Sequence, residues 1–95
     1  MGRFHHGDAS EPVDDVDLAH LELVVAERLG RSEPFLVTVD DGSVDGATSY
    51  WVAEDSPLRF AFGSLVPESA IDAMRLRIML DAADGDHGLH VARAA

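Results

Sequence analysis

Asp84-Gly85-Asp86-His87-Gly88 places two carboxylates and an imidazole within four positions, with His90 close behind. Oxygen and nitrogen donors of this kind suit a divalent cation, and the glycines would let the backbone wrap it. Asp84, Asp86, His87 and His90 are therefore the candidate metal ligands of the chain. A zinc site also needs its ligands to converge at about 2.0–2.2 Å. His87 and His90 differ by three positions, which on a strand sends them to opposite faces, and the adjacent His5 and His6 diverge in the same way. Two glycines and two aspartates are also what a helix stop followed by a turn requires, for positive φ and for local side-chain hydrogen bonds. The stretch is read as a polar turn, with no metal or cofactor assigned. A site joining His5 or His6 to His90 stays open if the terminal strands pair.

Other chemistry is narrowed mainly by what the chain lacks. It contains no cysteine and no lysine. A disulfide framework, a thiol nucleophile, a Schiff base, a Walker A cation and a lysyl–nucleotide intermediate are therefore excluded. No serine lies in a Gly-x-Ser-x-Gly elbow. Asp14, Asp15 and Asp17 stand where a helix begins and are expected to cap it rather than to carry acid–base chemistry. Tyr50, Trp51, Arg59, Phe60 and Phe62 form the one aromatic concentration. Most of it is expected in the core, but Tyr50, Trp51 and Arg59 are residue types that anchor protein interfaces, and they are the candidate partner-binding residues. Stacking of nucleic-acid bases on such a patch normally comes with a positive groove. Eighteen Asp and Glu against seven Arg leave a formal charge of −11, which repels phosphate backbones and speaks against direct nucleic-acid binding.

Positioning these residues requires a fold, and 95 residues suffice for one domain. Residues 3–6 form a short strand or a tail, and residues 8–12 read as a loop. Leu18, Leu21, Val25 and Leu29, widened by Val24, form a helical stripe over about 14–29, with Gly30 as its left-handed stop. Phe35, Val37 and Val39 alternate in a strand over 34–40. A mobile loop is expected over 41–47, a strand over 49–53, and a turn at 54–57. Leu58, Phe60 and Phe62 alternate in a third strand. Pro67 and Glu68 open a second helix whose apolar stripe is Ile71, Met74, Ile78 and Ala82, with Met79 alongside and Gly85 as its stop. Leu89 and Val91 belong to a closing strand. The order β-α-β-β-β-α-β predicts a small two-layer α+β domain: a mostly antiparallel sheet with two helices on one face.

Met1-Gly2-Arg3 with Gly7, then Leu18-Ala19-His20-Leu21, then Trp51 with Ser56-Pro57-Leu58-Arg59-Phe60 and Phe62, and finally Gly88-Leu89, together resemble an uncharacterised family of small actinobacterial proteins. Members of that family often carry the automatic label of ATP-dependent DNA ligase. The resemblance spans nearly the whole chain. It implies no ligase activity here, because nucleotidyl transfer of that kind proceeds through an adenylated lysine. Residues 84–88 separately resemble a stretch of the nucleotide-binding subunits of dihydroxyacetone kinases, but those five residues come without the large helical barrel that kinase chemistry would need.

A well-patterned small core without an assembled catalytic constellation leads to the expectation of a non-catalytic accessory or protein-interaction domain. It is expected to associate with a protein partner or with itself through a sheet edge or the aromatic surface. One alternative is an acidic inhibitor or nucleic-acid mimic that occupies a basic protein, and another is a small metal-dependent enzyme using the residues around Asp84. No run of about 20 apolar residues is present, and the N-terminus lacks a signal-peptide core, so the expected location is the cytoplasm.

Overall fold

The N-terminal segment is a strand, and the segment after it is a second one. In the computed structural model, which describes residues 1–43 and 46–94, β1 (Gly2–His6) and β2 (Ala9–Val13) pair as an antiparallel hairpin. Gly7 turns it with a left-handed φ of 61°, a region that glycine enters without steric penalty. The loop expected over 8–12 is thus corrected to a strand. Its inward positions are Glu11 and Val13, so one of the two residues that would signal a buried face is a carboxylate. Pro12 is tolerated because β2 lies at a sheet edge.

The remaining elements are α1 (Asp15–Gly30), β3 (Phe35–Asp40), β4 (Ala47–Val52), β5 (Leu58–Ala61), a 3-10 turn (Glu68–Ala70), α2 (Ala73–Ala83) and β6 (Leu89–Ala92). The α+β class and the expected order hold, with β2 as an addition. Two three-stranded sheets, β2-β1-β5 and β4-β3-β6, replace the single expected one. All pairings are antiparallel except that of β3 with β6. The sheets separate at residues 53–57, where Ser56 Oγ accepts the Ala53 amide at 2.9 Å and Gly7 donates to the Pro57 carbonyl at 3.0 Å. This diverts β5 from β4 to β1. The mobile loop expected over 41–47 falls in part on residues 44 and 45, outside those described.

Asp14 caps α1 by accepting the Val16 amide at 3.1 Å, and Asp15 and Asp17 place negative charge at the positive end of the helix. Leu18, Leu21, Val24 and Val25 are buried, and the helix packs on β1, β6 and α2. Gly30 remains helical. The left-handed residue is Ser32 (φ 55°). Around it the Ser32 amide bonds the Leu29 carbonyl at 3.1 Å and the Glu33 amide bonds the Arg28 carbonyl at 2.9 Å. This paired closure is the Schellman arrangement, normally built on glycine.

α2 starts later than expected. Pro67 precedes only the 3-10 turn, and the true cap is Asp72, which accepts the Met74 and Arg75 amides at 2.9 and 3.2 Å. Its buried face is Met79 and Ala83, with Leu76 and Leu80 packed alongside. Met74 and Ile78, expected inside, are 72% and 63% exposed. Gly85 is not the left-handed stop. That conformation belongs to Gly88 (φ 72°), where a β-carbon would lie 2.3 Å from the Leu36 carbonyl oxygen. Among the described residues, no helix is long and apolar enough to cross a membrane.

Candidate interaction surface around Trp51

Alternation along β4 decides where its two large aromatics go. Tyr50 turns inward. Its ring meets Phe4 edge-on at 5.7 Å and lies 5.4 Å from the His6 ring, and its hydroxyl donates to Glu11 Oε1 at 3.1 Å. Trp51 turns outward and is 59% exposed. Its register partner on β3 is Leu36, and beside that pair Thr38 and Ser49 share a hydroxyl hydrogen bond of 2.8 Å. His90, from β6, completes this outer face by donating through Nδ1 to Asp40 Oδ2 at 3.3 Å. The core face of the same sheet carries Val37, Val39, Val52, Leu89 and Val91, all buried.

β4 is an edge strand of its sheet. Trp51 turns its carbonyl away from β3, accepting from His6 Nε2 at 2.9 Å and from Ser56 Oγ at 3.4 Å. The alternation of an antiparallel ladder turns the Ser49 and Ala47 backbone groups the same way. Ala47-Thr48-Ser49-Tyr50-Trp51-Val52 contains no charge and no proline, the usual devices that block strand addition at an edge.

Tyr50, Trp51 and Arg59 do not converge. Tyr50 and Trp51 point to opposite faces, and Arg59 sits on β5 of the other sheet, where its guanidinium donates to His5 Nε2 at 3.2 Å. The residues around Asp84 are similarly dispersed. Asp84 forms an ion pair with the buried Arg28, whose guanidinium also stands 5.6 Å over the Phe35 ring, and His90 faces Asp40. Among the described residues, no group of three or more His, Asp or Glu side chains is placed to hold a metal ion.

One polar cluster has no signature in the sequence. Arg93 donates to Glu11 Oε2 at 2.8 Å, to the Val39 carbonyl at 3.3 Å and to the Gly46 carbonyl. Tyr50 completes the group through Glu11 and thereby joins the first sheet to the second. Burial, and then the Glu11 hydrogen bond, raise the Tyr50 hydroxyl above its ordinary pKa, and the same carboxylate raises Arg93. A second cluster closes the N-terminus: Asp15 accepts from the Gly63 amide at 3.0 Å, the Ser64 hydroxyl at 3.3 Å and the Met1 ammonium at 3.4 Å. The Gly63 amide above all holds the Asp15 carboxyl below the ordinary carboxylate range. Both clusters spend their functional groups on internal contacts.

The family described as Domain of unknown function (DUF7882) matches residues 1–94. The chain belongs to this family. No curated protein and no solved structure matches it. Membership accords with the resemblance read from the Gly2-Arg3, Leu18–Leu21 and Trp51–Phe62 stretches. Three of these motif residues have structural duties in this DUF7882 chain. A β-carbon at Gly2 would lie 2.6 Å from Leu18, His20 is enclosed between the helices, and Gly88 approaches β3.

Proposed function

We propose that this DUF7882 domain is a non-catalytic protein-interaction module whose partner docks on the outer face and edge of the β4-β3-β6 sheet, with Trp51 as its anchor. The observation that carries this reading is the 59% exposure of Trp51 on a strand whose edge has no charge or proline. Tryptophan is the side chain with the most to gain from burial at an interface, and it is among the residue types enriched at binding hot spots. The hydroxyls of Ser49 and Thr38 and the His90–Asp40 pair supply polar groups around it. Arg59 is on the other sheet and serves at most as rim. The reading is also supported by five titratable groups, Glu11, Asp15, His20, Asp72 and Asp84, whose polar atoms are engaged in backbone or ion-pair contacts within the chain.

The test uses the tagged chain and its Trp51→Ala and Arg59→Ala variants, passed over one native-host lysate at low and high salt. Circular dichroism would check each fold. A retained protein, identified by mass spectrometry and purified, is expected to bind Trp51→Ala at least about 10-fold more weakly and Arg59→Ala less than about 3-fold more weakly, by the usual spread of hot-spot and rim effects. Equal retention by Trp51→Ala removes this surface from the reading. Binding abolished by salt, with no effect of Trp51→Ala, transfers it to the acidic-mimic alternative.

A further inference from the structure

Six of the seven arginines have a side-chain partner: Arg3 has Ser10, Arg28 has Asp84, Arg31 has Glu27 and Glu33, Arg59 has His5, Arg75 has Asp17 and Arg93 has Glu11. Arg77 alone, among the described residues, has none. It is exposed on α2, in a chain with eighteen acids to choose from. The residues that share its face are Asp81, Met74 and Ile78, all exposed. At about 100° per residue, these four positions fall within an arc of about 100°. Arg77 and Asp81 form one flank of that arc, Met74 and Ile78 the other.

We propose that this face is the interface of a homodimer in which α2 packs antiparallel against α2 of a second copy. A two-fold axis across the helix, level with residue 79, sets position 77 opposite 81 and 81 opposite 77, so the Arg–Asp contact forms twice. Ile78 lies one residue from the axis and meets its own counterpart, while Met74 covers the far end of the partner helix. Self-complementarity of this kind is what an isologous interface requires. The charges on this face cancel, Arg77 against Asp81, in a chain of net −11, while Arg75 lies off the face and is paired with Asp17. Two copies therefore meet along this face without a net like charge on it. The helix has 11 residues, about 16 Å of axis, so the contact is small and the dimer weak, with a Kd on the order of 10–100 µM.

Sedimentation equilibrium of the full chain up to about 1 mM, at low salt, tests this. The wild type is expected to dimerise. Arg77→Asp and Asp81→Arg each create like-charge contacts across the axis, and each should raise the Kd at least about 10-fold. An equimolar mixture of the two variants should form a heterodimer, because Asp at 77 of one chain then faces Arg at 81 of the other. The double variant R77D/D81R should recover homodimerisation. These positions are exposed, so circular dichroism should show every variant folded. Trp51→Ala should dimerise like wild type, which keeps the outcome separate from that of the β4 surface. A wild type that is monomeric at 1 mM, a mixture no more associated than its components, or dimerisation lost with Trp51→Ala would each overturn the proposal.

Discussion

His20 joins the two helices, and replacing it tests how the fold positions α2. The side chain is 1% exposed. Its Nδ1 donates to the Val16 carbonyl at 2.7 Å, and its Nε2 accepts the Asp72 amide at 3.0 Å. The two bonds are not equivalent. The Val16 carbonyl lies one turn back in the same helix, where the His20 amide also bonds it, so losing the Nδ1 contact leaves that oxygen partnered. The Asp72 amide is the N-cap donor of α2 and has His20 as its acceptor. His20→Leu keeps the bulk and removes that acceptor. An orphaned, partly buried amide costs about 1–3 kcal/mol, and greater burial of carbon returns up to about 1 kcal/mol. The net expectation is a loss of about 1–2 kcal/mol, against a total of roughly 5–14 kcal/mol for a chain of this size. Urea unfolding followed by circular dichroism is the appropriate assay, since Trp51 is solvent-exposed in the folded state and its emission is a poor reporter. The midpoint should fall while the slope stays constant, and hydrogen exchange should quicken first in the opening turn of α2. A His20→Leu variant as stable as wild type, or destabilised without faster exchange in α2, would refute the role assigned to the Nε2 contact.

Two further perturbations follow from the caps. Ser32→Gly relieves a left-handed residue at a cost saving of about 1 kcal/mol, offset by loss of the exposed Ser32–Glu54 hydrogen bond; it should stabilise by about 0.5 kcal/mol and raise the thermal midpoint by about 2–4 °C. Asp15→Asn removes a carboxylate whose folded-state pKa is depressed. The unfolded chain takes up that proton first as acid is added, so the Asp15 contribution is present at neutral pH and is lost as pH falls through about 4 and below. Wild type should therefore exceed Asp15→Asn in denaturant midpoint at pH 7, and the gap should narrow steadily as pH falls below about 4; a gap that does not change across that range would show that the carboxylate charge is not the source.

How much of this is legible in sequence depends on how many periods a segment fits. α1 has one apolar stripe, one aspartate cap and a polar opposite face, and the reading matches the structure except at its end, where a serine does what glycine was expected to do. α2 is apolar nearly all round: Leu76, Met79, Leu80 and Ala83 satisfy helical spacing as well as Ile71, Met74, Ile78 and Ala82 do. Only packing against β6 and α1 chooses between them. β2 is hidden because Glu11 occupies a core position, and its partner Arg93 stands 82 residues away. At the candidate surface, Trp51 is identified by residue type. Its separation from Tyr50 follows from strand alternation, but its separation from Arg59 does not, since nothing local announces that β5 leaves β4 for β1. Arg77 and Asp81 are visible as an i, i+4 pair, yet their significance depends on knowing that Met74 and Ile78 face outward.

The acidity that dominates the composition has a specific structural origin. Asp14 and Asp72 cap helices, Asp40 and Asp41 accept the Gly42 and Ser43 amides at 3.0 and 2.9 Å, and Asp15 gathers the N-terminus. With no asparagine, glutamine or lysine in the chain, carboxylates take on the turn and cap duties that neutral amides share elsewhere, and arginine alone supplies the opposing charge. Most of that arginine is then held in internal pairs. Net charge is consequently a weaker guide to partner chemistry here, because part of it serves to cap helices and turns. The features with greater diagnostic weight are side chains the fold leaves exposed: an outward tryptophan on an edge strand without charge or proline, and an arginine with no partner among the described residues beside two outward apolar side chains.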